Sequence, residues 1–209
     1  MYDELRKEYE GKELNKGNVS DNPTEQLRSW IDEASPHMPM ANYMVLGTSG
    51  DVGAPSQRVV LLKKLDDRGL VFFTNYDSQK GKELTANPNA SLLFYWMPLH
   101  RQVRVQGKVE KISAKESDEY FQSRPRESNL SAMASAQSIS VDSRKVLEDR
   151  VAELRSEWKN RDLIRPSNWG GYRLAPIFFE FWQGRADRLH DRICFKKAKD
   201  NWLLDRIAP

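Results

Sequence analysis

The sequence has 209 residues, of which 39% are hydrophobic and 30% charged, and its formal net charge is only +3. This composition is typical of a globular protein, and the length suits one domain over residues 1–209. Acidic and basic residues are interspersed, which disfavours a nucleic-acid binder and favours a protein that binds small anions. Cys194 is the only cysteine, which excludes an intrachain disulfide, and the three histidines match no common zinc motif. With no signal peptide or long apolar run in view, we expect a cytoplasmic protein without a membrane partner.

The first part of the chain predicts one helix and then a series of strands. Residues 1–20 are polar and are expected to form a short helix or a mobile arm. The run Asn22-Pro23-Thr24-Glu25 supplies an N-cap, a proline at the first helical position and an acid in the first turn, which predicts a helix over residues 23–34. Short apolar runs then predict strands of an antiparallel meander at residues 43–48, 57–65 and 70–74.

The middle of the chain predicts further helices and two long strands. Ser78 is a suitable N-cap for a helix over residues 78–86, and Ser113 for one that runs to about residue 122. Ser128 is expected in an irregular segment. The remaining predictions are strands at residues 90–96 and 101–112, an amphipathic helix at residues 143–160, and a strand that begins at Tyr172.

The segment 180–192 concentrates aromatic, cationic and imidazole groups in a predicted hairpin. Its strand, turn and second strand are expected at residues 178–183, 184–187 and 188–195. Because side chains alternate between the faces of a strand, Arg188, His190 and Arg192 are expected to share one face. Two guanidiniums and an imidazole suit a planar anion, whereas the alternative is a charged edge strand that discourages aggregation.

Two other stretches carry cations that suit an anion. The N-terminus of the helix over residues 78–86 presents free N–H groups, and Lys80 in its first turn is unfavourable there unless an anion compensates. Arg58 and Lys63 enclose an aliphatic run. Being five positions apart, they are expected on opposite faces unless the strand twists or a ligand wraps its end. The alternative is a pair of surface cations.

Six motifs follow one another between residues 43 and 209: Arg58-Val59-Val60-Leu61-Leu62-Lys63, Ser78-Gln79-Lys80, the segment from Tyr120 to Ser128, Ala136-Gln137-Ser138, Trp182-Gln183-Gly184 and Arg188-Leu189-His190-Asp191-Arg192. In type and order they resemble motifs of the pyridoxine 5'-phosphate oxidases. The resemblance implies a mainly β (α+β) fold, an antiparallel split β-barrel with peripheral helices that binds flavin mononucleotide (FMN). It also implies a homodimer with FMN at the subunit interface.

The resemblance assigns residues to two ligands. Those carried over to FMN are Arg58, Val59, Val60, Leu61, Leu62, Lys63, Phe73, Thr74, Gln79, Lys80, Gln102, Gln137, Ser138, Trp182 and Arg192. Those carried over to the substrate are Arg6, Tyr9, Lys63, Tyr120, Arg124, Ser128, Arg188, Leu189 and His190. Arg188 and His190 are expected to act as the catalytic pair that positions the reacting carbon. Where the family has an arginine this chain has Gln79, which weakens one expected phosphate donor.

The implied reaction is the oxidation of pyridoxine or pyridoxamine 5'-phosphate to pyridoxal 5'-phosphate, with dioxygen as acceptor and hydrogen peroxide as product. Such a reaction needs neither a nucleophile triad nor a metal, because the flavin is the electron sink. Two alternatives stay open, a split-barrel flavoprotein with another substrate and a non-enzymatic barrel that binds anions or nucleic acid. Flavin content separates the second alternative from both enzymes.

Overall fold

The computed structural model describes residues 8–51 and 53–209, whose strands form one curled antiparallel sheet. The strands are β1 (Tyr43–Ser49), β2 (Pro55–Leu61), β3 (Lys64–Asp66), β4 (Gly69–Asn75), β5 (Asn89–Trp96), β6 (Arg101–Lys111), β7 (Trp169–Gln183), β8 (Asp191–Ala198) and β9 (Asn201–Arg206). Their order is β2-β1-β5-β6-β7-β4-β3, with β8 added to β7 and β9 to β8. The sequence analysis did not predict β9.

Strand β7 connects the parts of the sheet. Its first half pairs with β4, its second half with β8, and β6 runs along both halves. The expected start at Tyr172 is wrong, because Trp169 is already paired with Asn75. Pro176 is tolerated inside this strand because it lies where the pairing with β6 shifts register, and such a bulge leaves a position without a ladder hydrogen bond.

The expected strand over residues 57–65 is two strands. The N–H of Leu62 donates to the carbonyl of Asn42 next to β1, and the N–H of Lys63 donates to the carbonyl of Val71 in β4. The backbone therefore changes partners between consecutive residues, which ends β2 at Leu61 and curls the sheet.

Five α-helices flank the sheet in the described part of the chain. They are α1 (Pro23–Ala34), α2 (Gln79–Ala86), α3 (Ala114–Ser123), α4 (Arg126–Ala134) and α5 (Arg144–Glu157). The Asn22 and Ser78 side chains accept from backbone N–H groups of α1 and α2, and Ser113 forms a capping box with Glu116 in α3, as predicted. The irregular segment expected around Ser128 is wrong, because Pro125 occupies the N-cap of α4 and cannot continue α3.

Two apolar clusters hold these elements together. In the larger cluster, Trp30 of α1 packs edge-on against Phe181 of β7, with 5.2 Å between ring centroids. The smaller cluster joins α3, α4 and α5 to β7 and contains Phe121, Leu130, Leu154, Leu163 and Trp169. The second cluster fixes the helices beside the site described below.

Residues 8–20 lie against the sheet without forming a helix. The N–H of Leu14 donates to the Asp191 carboxylate at 3.0 Å, and the Arg206 guanidinium donates to the Leu14 carbonyl at 2.6 Å. Leu14 itself is buried. These contacts attach the described part of the expected arm to β8 and β9.

Gly69 is expected to be important for stability. It follows the turn from β3 to β4 with a φ of +132°, and a Cβ there would lie 2.0 Å from the carbonyl oxygen of Leu174. Gly69→Ala should therefore lower the free energy of unfolding by roughly 1–3 kcal/mol, measured by urea denaturation. Gly53→Ala is the matched control, because Gly53 also has a positive φ but a Cβ there meets no described atom within 4 Å. Equal losses in the two variants would contradict the steric argument.

Candidate active site

A cavity of about 920 Å³ opens between β2, β4, α2 and the α3–α4 region. Many of the residues predicted for cofactor and substrate line it, and we call them the first group. They are Arg58, Val59, Val60, Leu61, Lys63, Phe73, Thr74, Gln79, Lys80, Tyr120, Arg124, Ser128, Gln137 and Ser138. Leu62 was predicted with them but is buried in the core instead.

Arg58 and Lys63 both reach this cavity, although their spacing predicts opposite faces. The reason is the break between β2 and β3. Because β2 ends at Leu61, Lys63 no longer follows the alternation of the strand that carries Arg58.

Lys80 is a buried cation on the cavity wall. Its Nζ donates to Gln137 Oε1 at 2.8 Å and to Ser78 Oγ at 3.3 Å, and Thr74 Oγ1 donates to the same Gln137 oxygen at 3.1 Å. Burial and the charge of Arg58 lower the pKa of Lys80 to about 8. An anion bound in the cavity would favour the protonated form of Lys80. The N-terminus of α2 would also attract that anion.

Arg58 is held by a polar network that the sequence analysis missed. Its guanidinium donates to Ser56 Oγ at 2.5 Å, to the Thr48 hydroxyl and to the Glu83 carboxylate at 3.2 Å. Glu83 also accepts from the Gln79 side chain at 2.9 Å. The signal for this network in the sequence is Glu83, an acid four residues after Gln79 and three after Lys80 on the same helix face.

Gln79 lies at the expected place but its side chain is turned to Glu83. Its backbone N–H donates to Ser138 Oγ at 3.2 Å. Gln79 therefore contributes to the cavity wall with its side-chain amide already paired, which is consistent with a weaker donor than the arginine of the resembled motif.

Aromatic rings form another part of the cavity wall. Tyr120 stacks on Phe73 with 3.8 Å between centroids, and Trp169 stacks on Phe73 at 5.6 Å. The Arg124 guanidinium lies 4.6 Å from the centroid of Trp169 and donates to Asn129 Oδ1 at 2.9 Å. It also donates to the backbone carbonyl of Ser128 at 3.2 Å. Tyr120, Arg124 and Ser128 are thus brought together, as their motif predicts.

The remaining predicted residues form a second group that is not on the wall of this cavity. Gln102, Trp182 and Arg192 are directly paired neighbours on β6, β7 and β8, so their side chains project from one face of the sheet. Arg192 is fixed by Glu180, which accepts from its Nε at 2.9 Å. The other members of the second group are Tyr9, Arg188, Leu189 and His190.

Tyr9 lies among the rings of this second group. Its centroid is 5.5 Å from that of His190 and 5.7 Å from that of Trp182, and the His190 and Trp182 rings are 4.8 Å apart. His100, which had no predicted role, is 4.9 Å from Tyr9. Arg6, predicted to act with Tyr9, lies outside the described residues.

The expectation that Arg188, His190 and Arg192 share one strand face is wrong. Strand β8 begins only at Asp191, because the preceding segment closes on itself. The N–H of Arg185 donates to His190 Nδ1 at 3.1 Å, and Arg188 has a left-handed φ of 61°. Arg188 and Leu189 are therefore exposed on a loop at the end of the hairpin.

Known proteins resemble this chain over almost its full length. Residues 25–157 match the family model described as pyridoxamine 5'-phosphate oxidase. The chain is 47% identical to a pyridoxine/pyridoxamine 5'-phosphate oxidase of Cyanothece sp., over 99% of this chain and 97% of that protein. It is 49% identical to one of Salinibacter ruber, over 99% and 98%. The chain belongs to the pyridoxamine 5'-phosphate oxidase family.

Solved structures support the same fold. PhzG from Burkholderia lata, in complex with tetrahydrophenazine-1-carboxylic acid, superposes with a TM-score of 0.89 at 30% identity, covering 95% of this chain and 99% of that one. A pyridoxamine 5'-phosphate oxidase-related, FMN-binding protein from Nostoc punctiforme superposes with a TM-score of 0.72 at 16% identity, covering 91% and 100%. The split β-barrel prediction is confirmed.

Residues 169–209 match a second family model, described as the pyridoxine 5'-phosphate oxidase C-terminal dimerisation region. The region comprises β7, β8 and β9 with the loop between β7 and β8. It contains five residues of the second group, Trp182, Arg188, Leu189, His190 and Arg192. None of the described helices is long and apolar enough to cross a membrane. Within residues 8–51 and 53–209, no group of three or more His, Cys, Asp or Glu side chains is placed to hold a metal.

Proposed function

We propose that the protein is an FMN-dependent oxidase that converts pyridoxine 5'-phosphate and pyridoxamine 5'-phosphate to pyridoxal 5'-phosphate. Dioxygen is the final acceptor and is reduced to hydrogen peroxide; the amine substrate also takes up water and releases ammonia. The observation that carries the proposal is that the first group contains two sets of anion-binding side chains, one around Lys80 and one around Arg124, on the wall of one cavity. FMN and a B6 vitamer phosphate each bring one phosphate, so the two sets match the two ligands.

The donor set around Lys80 fits the phosphate of FMN. Lys80 offers a buried ammonium, Arg58 a guanidinium, and α2 its N-terminus, all of which favour an anion. Gln137 fixes the direction of the Lys80 ammonium through their 2.8 Å hydrogen bond. When bound, FMN supplies the two-electron acceptor that the protein side chains lack.

The donor set around Arg124 fits the phosphate of the substrate. Asn129 and the Ser128 carbonyl hold the guanidinium over Trp169, and Tyr120 adds a hydroxyl at the same wall. Lys63 lies 6.0 Å from the Tyr120 centroid and adds a second positive charge. A dianion held by charged donors at a fixed place orients the rest of the substrate.

In this proposal the protein is a homodimer, and the second group of one subunit completes the site formed by the first group of the other. The match of residues 169–209 to a dimerisation region supports it, because that region carries Trp182, His190 and Arg192. Arg188 and His190 then position the carbon to be oxidised, with the Arg185 N–H holding His190 Nδ1 as acceptor. The exposure of Arg188 and Leu189 in one chain is consistent with a ligand and partner that cover them.

The purified protein is expected to be yellow and to release FMN on denaturation. The reason is the buried Lys80 ammonium on the cavity wall, whose hydrogen-bond partners in the described part of the chain, Ser78 and Gln137, include no carboxylate. Absorbance near the flavin bands, with chromatography of the released chromophore, makes the test. Anaerobic bleaching of that colour by pyridoxine 5'-phosphate then tests the substrate. A colourless protein that takes up no added FMN would refute the proposal.

A second candidate substrate comes from the likeness to PhzG. That protein was solved with tetrahydrophenazine-1-carboxylic acid and is 30% identical to this chain. The anion-binding side chains around Arg124 are also compatible with a carboxylate. Bleaching by a reduced phenazine acid but not by a B6 phosphate would favour this candidate. The higher identity to the pyridoxine/pyridoxamine 5'-phosphate oxidases makes the B6 phosphates our choice.

A further inference from the structure

We infer that Glu83 is a positioning residue, which aims the Arg58 guanidinium at the phosphate of FMN without touching the flavin itself. The inference rests on the proposed function. It concerns α2, where an acid is unexpected beside an anion site, since a carboxylate repels a phosphate. Glu83 is not among the residues on the cavity wall, whereas Arg58, Gln79 and Lys80 are.

The Glu83 carboxylate accepts hydrogen bonds from donors on three elements. Its Oε2 accepts from Thr48 Oγ1 of β1 at 2.5 Å and from Ser56 Oγ of β2 at 2.6 Å. The same oxygen lies 3.2 Å from an Arg58 nitrogen, and Oε1 accepts from Gln79. Glu83 thus ties the strand that carries Arg58 to the helix that carries Lys80.

A carboxylate suits this position better than an amide. Burial raises the pKa of the Glu83 carboxyl, but hydrogen bonds from Ser56, Thr48 and Gln79 outweigh burial and lower the pKa to about 2. The group is therefore ionised at neutral pH and offers two acceptor oxygens. An amide would offer one acceptor oxygen and would present N–H groups to other donors.

The network also limits where Arg58 can point. Both terminal nitrogens of Arg58 are engaged, one with Thr48 and the Leu46 carbonyl and the other with Ser56 and Glu83. Among the described residues Nε makes no hydrogen bond, so an anion would meet the guanidinium through Nε; the side chain is only 19% exposed. Long cations lose rotamer freedom when they bind, so a guanidinium that is already held binds an anion with a smaller entropic cost. Removing the Glu83 carboxylate loosens this restraint, because it takes away one Arg58 contact and the acceptor that orients the Thr48 and Ser56 hydroxyls.

The sign of the effect separates positioning from simple charge. If Glu83 only contributed negative charge near the phosphate, Glu83→Gln would tighten FMN binding. If it positions Arg58, Glu83→Gln should weaken FMN binding by about tenfold, which corresponds to the loss of one charge-assisted hydrogen bond between Arg58 and the phosphate. Riboflavin lacks the phosphate, so its affinity should stay unchanged.

The test titrates full-length apoprotein with FMN and with riboflavin by flavin fluorescence quenching. Glu110→Gln is the matched control, because it makes the same chemical change at an exposed position of β6. In an Arg58→Ala background, Glu83→Gln should have no further effect on FMN affinity, since there is no guanidinium left to position. Glu83→Asp retains the charge but withdraws the carboxylate, and should weaken FMN binding in the same way; it also answers the question if Glu83→Gln fails to fold.

Three results would overturn the inference. The first is tighter or unchanged FMN binding in Glu83→Gln, or in Glu83→Asp if the glutamine variant does not fold. The second is an equal loss for FMN and riboflavin, and the third is an undiminished effect of Glu83→Gln when Arg58 is already alanine. In each of these cases wild-type protein that binds FMN leaves the proposed function standing. Wild-type protein that binds neither flavin refutes the proposed function, and the inference with it.

Discussion

A mixture of the Lys80→Met and His190→Ala variants is expected to regain roughly a quarter of wild-type oxidase activity once their subunits exchange. Each variant alone should be almost inactive as a homodimer. The two residues belong to different groups, since Lys80 is on the cavity wall and His190 is not. If the site is built from two chains as proposed, one site of a mixed dimer combines an intact first group from one chain with an intact second group from the other. Half of the dimers are mixed, and each has one of two sites restored.

The separate losses make the recovery measurable. His190→Ala should lower kcat/KM by about a hundredfold through misplacement of the reacting carbon while FMN stays bound. Lys80→Met should fail mainly through loss of FMN. The control mixes Lys80→Met with Arg124→Ala, two changes in the first group, because no mixed dimer then has a complete site. Recovery in that control, or none in the first mixture despite exchange shown by mass spectrometry, would contradict a site built from two chains.

The regular elements could be read from local chemistry. Helix α1 follows from the Asn22 cap and Pro23, and β6 follows from alternating valines that the structure buries, such as Val103 and Val105. Such signals depend on a few neighbouring residues, and in these elements the tertiary contacts agree with them. The fold class came from motif order, which the TM-score of 0.89 to PhzG supports.

The errors lie where tertiary contacts override the local pattern. Residues 188–190 have strand-like composition, yet the His190 ring accepts from the Arg185 N–H and the loop closes before β8 begins. The break after Leu61 likewise depends on hydrogen bonds to Asn42 and Val71, which are distant in sequence. No periodicity within a strand carries this information.

The candidate site was predictable in its residue types but not in its arrangement. Motifs identify Trp182 and Lys80 equally, and only the structure separates them into two groups. Glu83 was missed because an acid four residues after Gln79 is typical of an exposed helix pair. Its hydroxyl partners Thr48 and Ser56 lie on strands that are distant from α2 in the sequence.

Lys80→Met is expected to weaken FMN binding by roughly ten- to a hundredfold, the loss of a charged hydrogen bond of about 1.5–3 kcal/mol. Methionine keeps most of the side-chain volume, so the packing around Ser78 and Gln137 should change little. Titration of apoprotein with FMN measures the affinity. Riboflavin is the control ligand, because its binding should not depend on the cation; a similar loss for riboflavin would indicate a collapsed cavity instead.

The pH dependence of FMN binding should depend on the same residue. Burial and Arg58 lower the pKa of Lys80 to about 8, so in the free protein Lys80 is charged at pH 7 and mostly neutral at pH 9. A bound phosphate dianion raises that pKa, and binding above pH 8 must therefore take up a proton. Wild-type affinity should fall by about tenfold between pH 7 and pH 9, while Lys80→Met should show a flat profile. An equal fall in both proteins would assign the titration to another group, because methionine has no proton to lose.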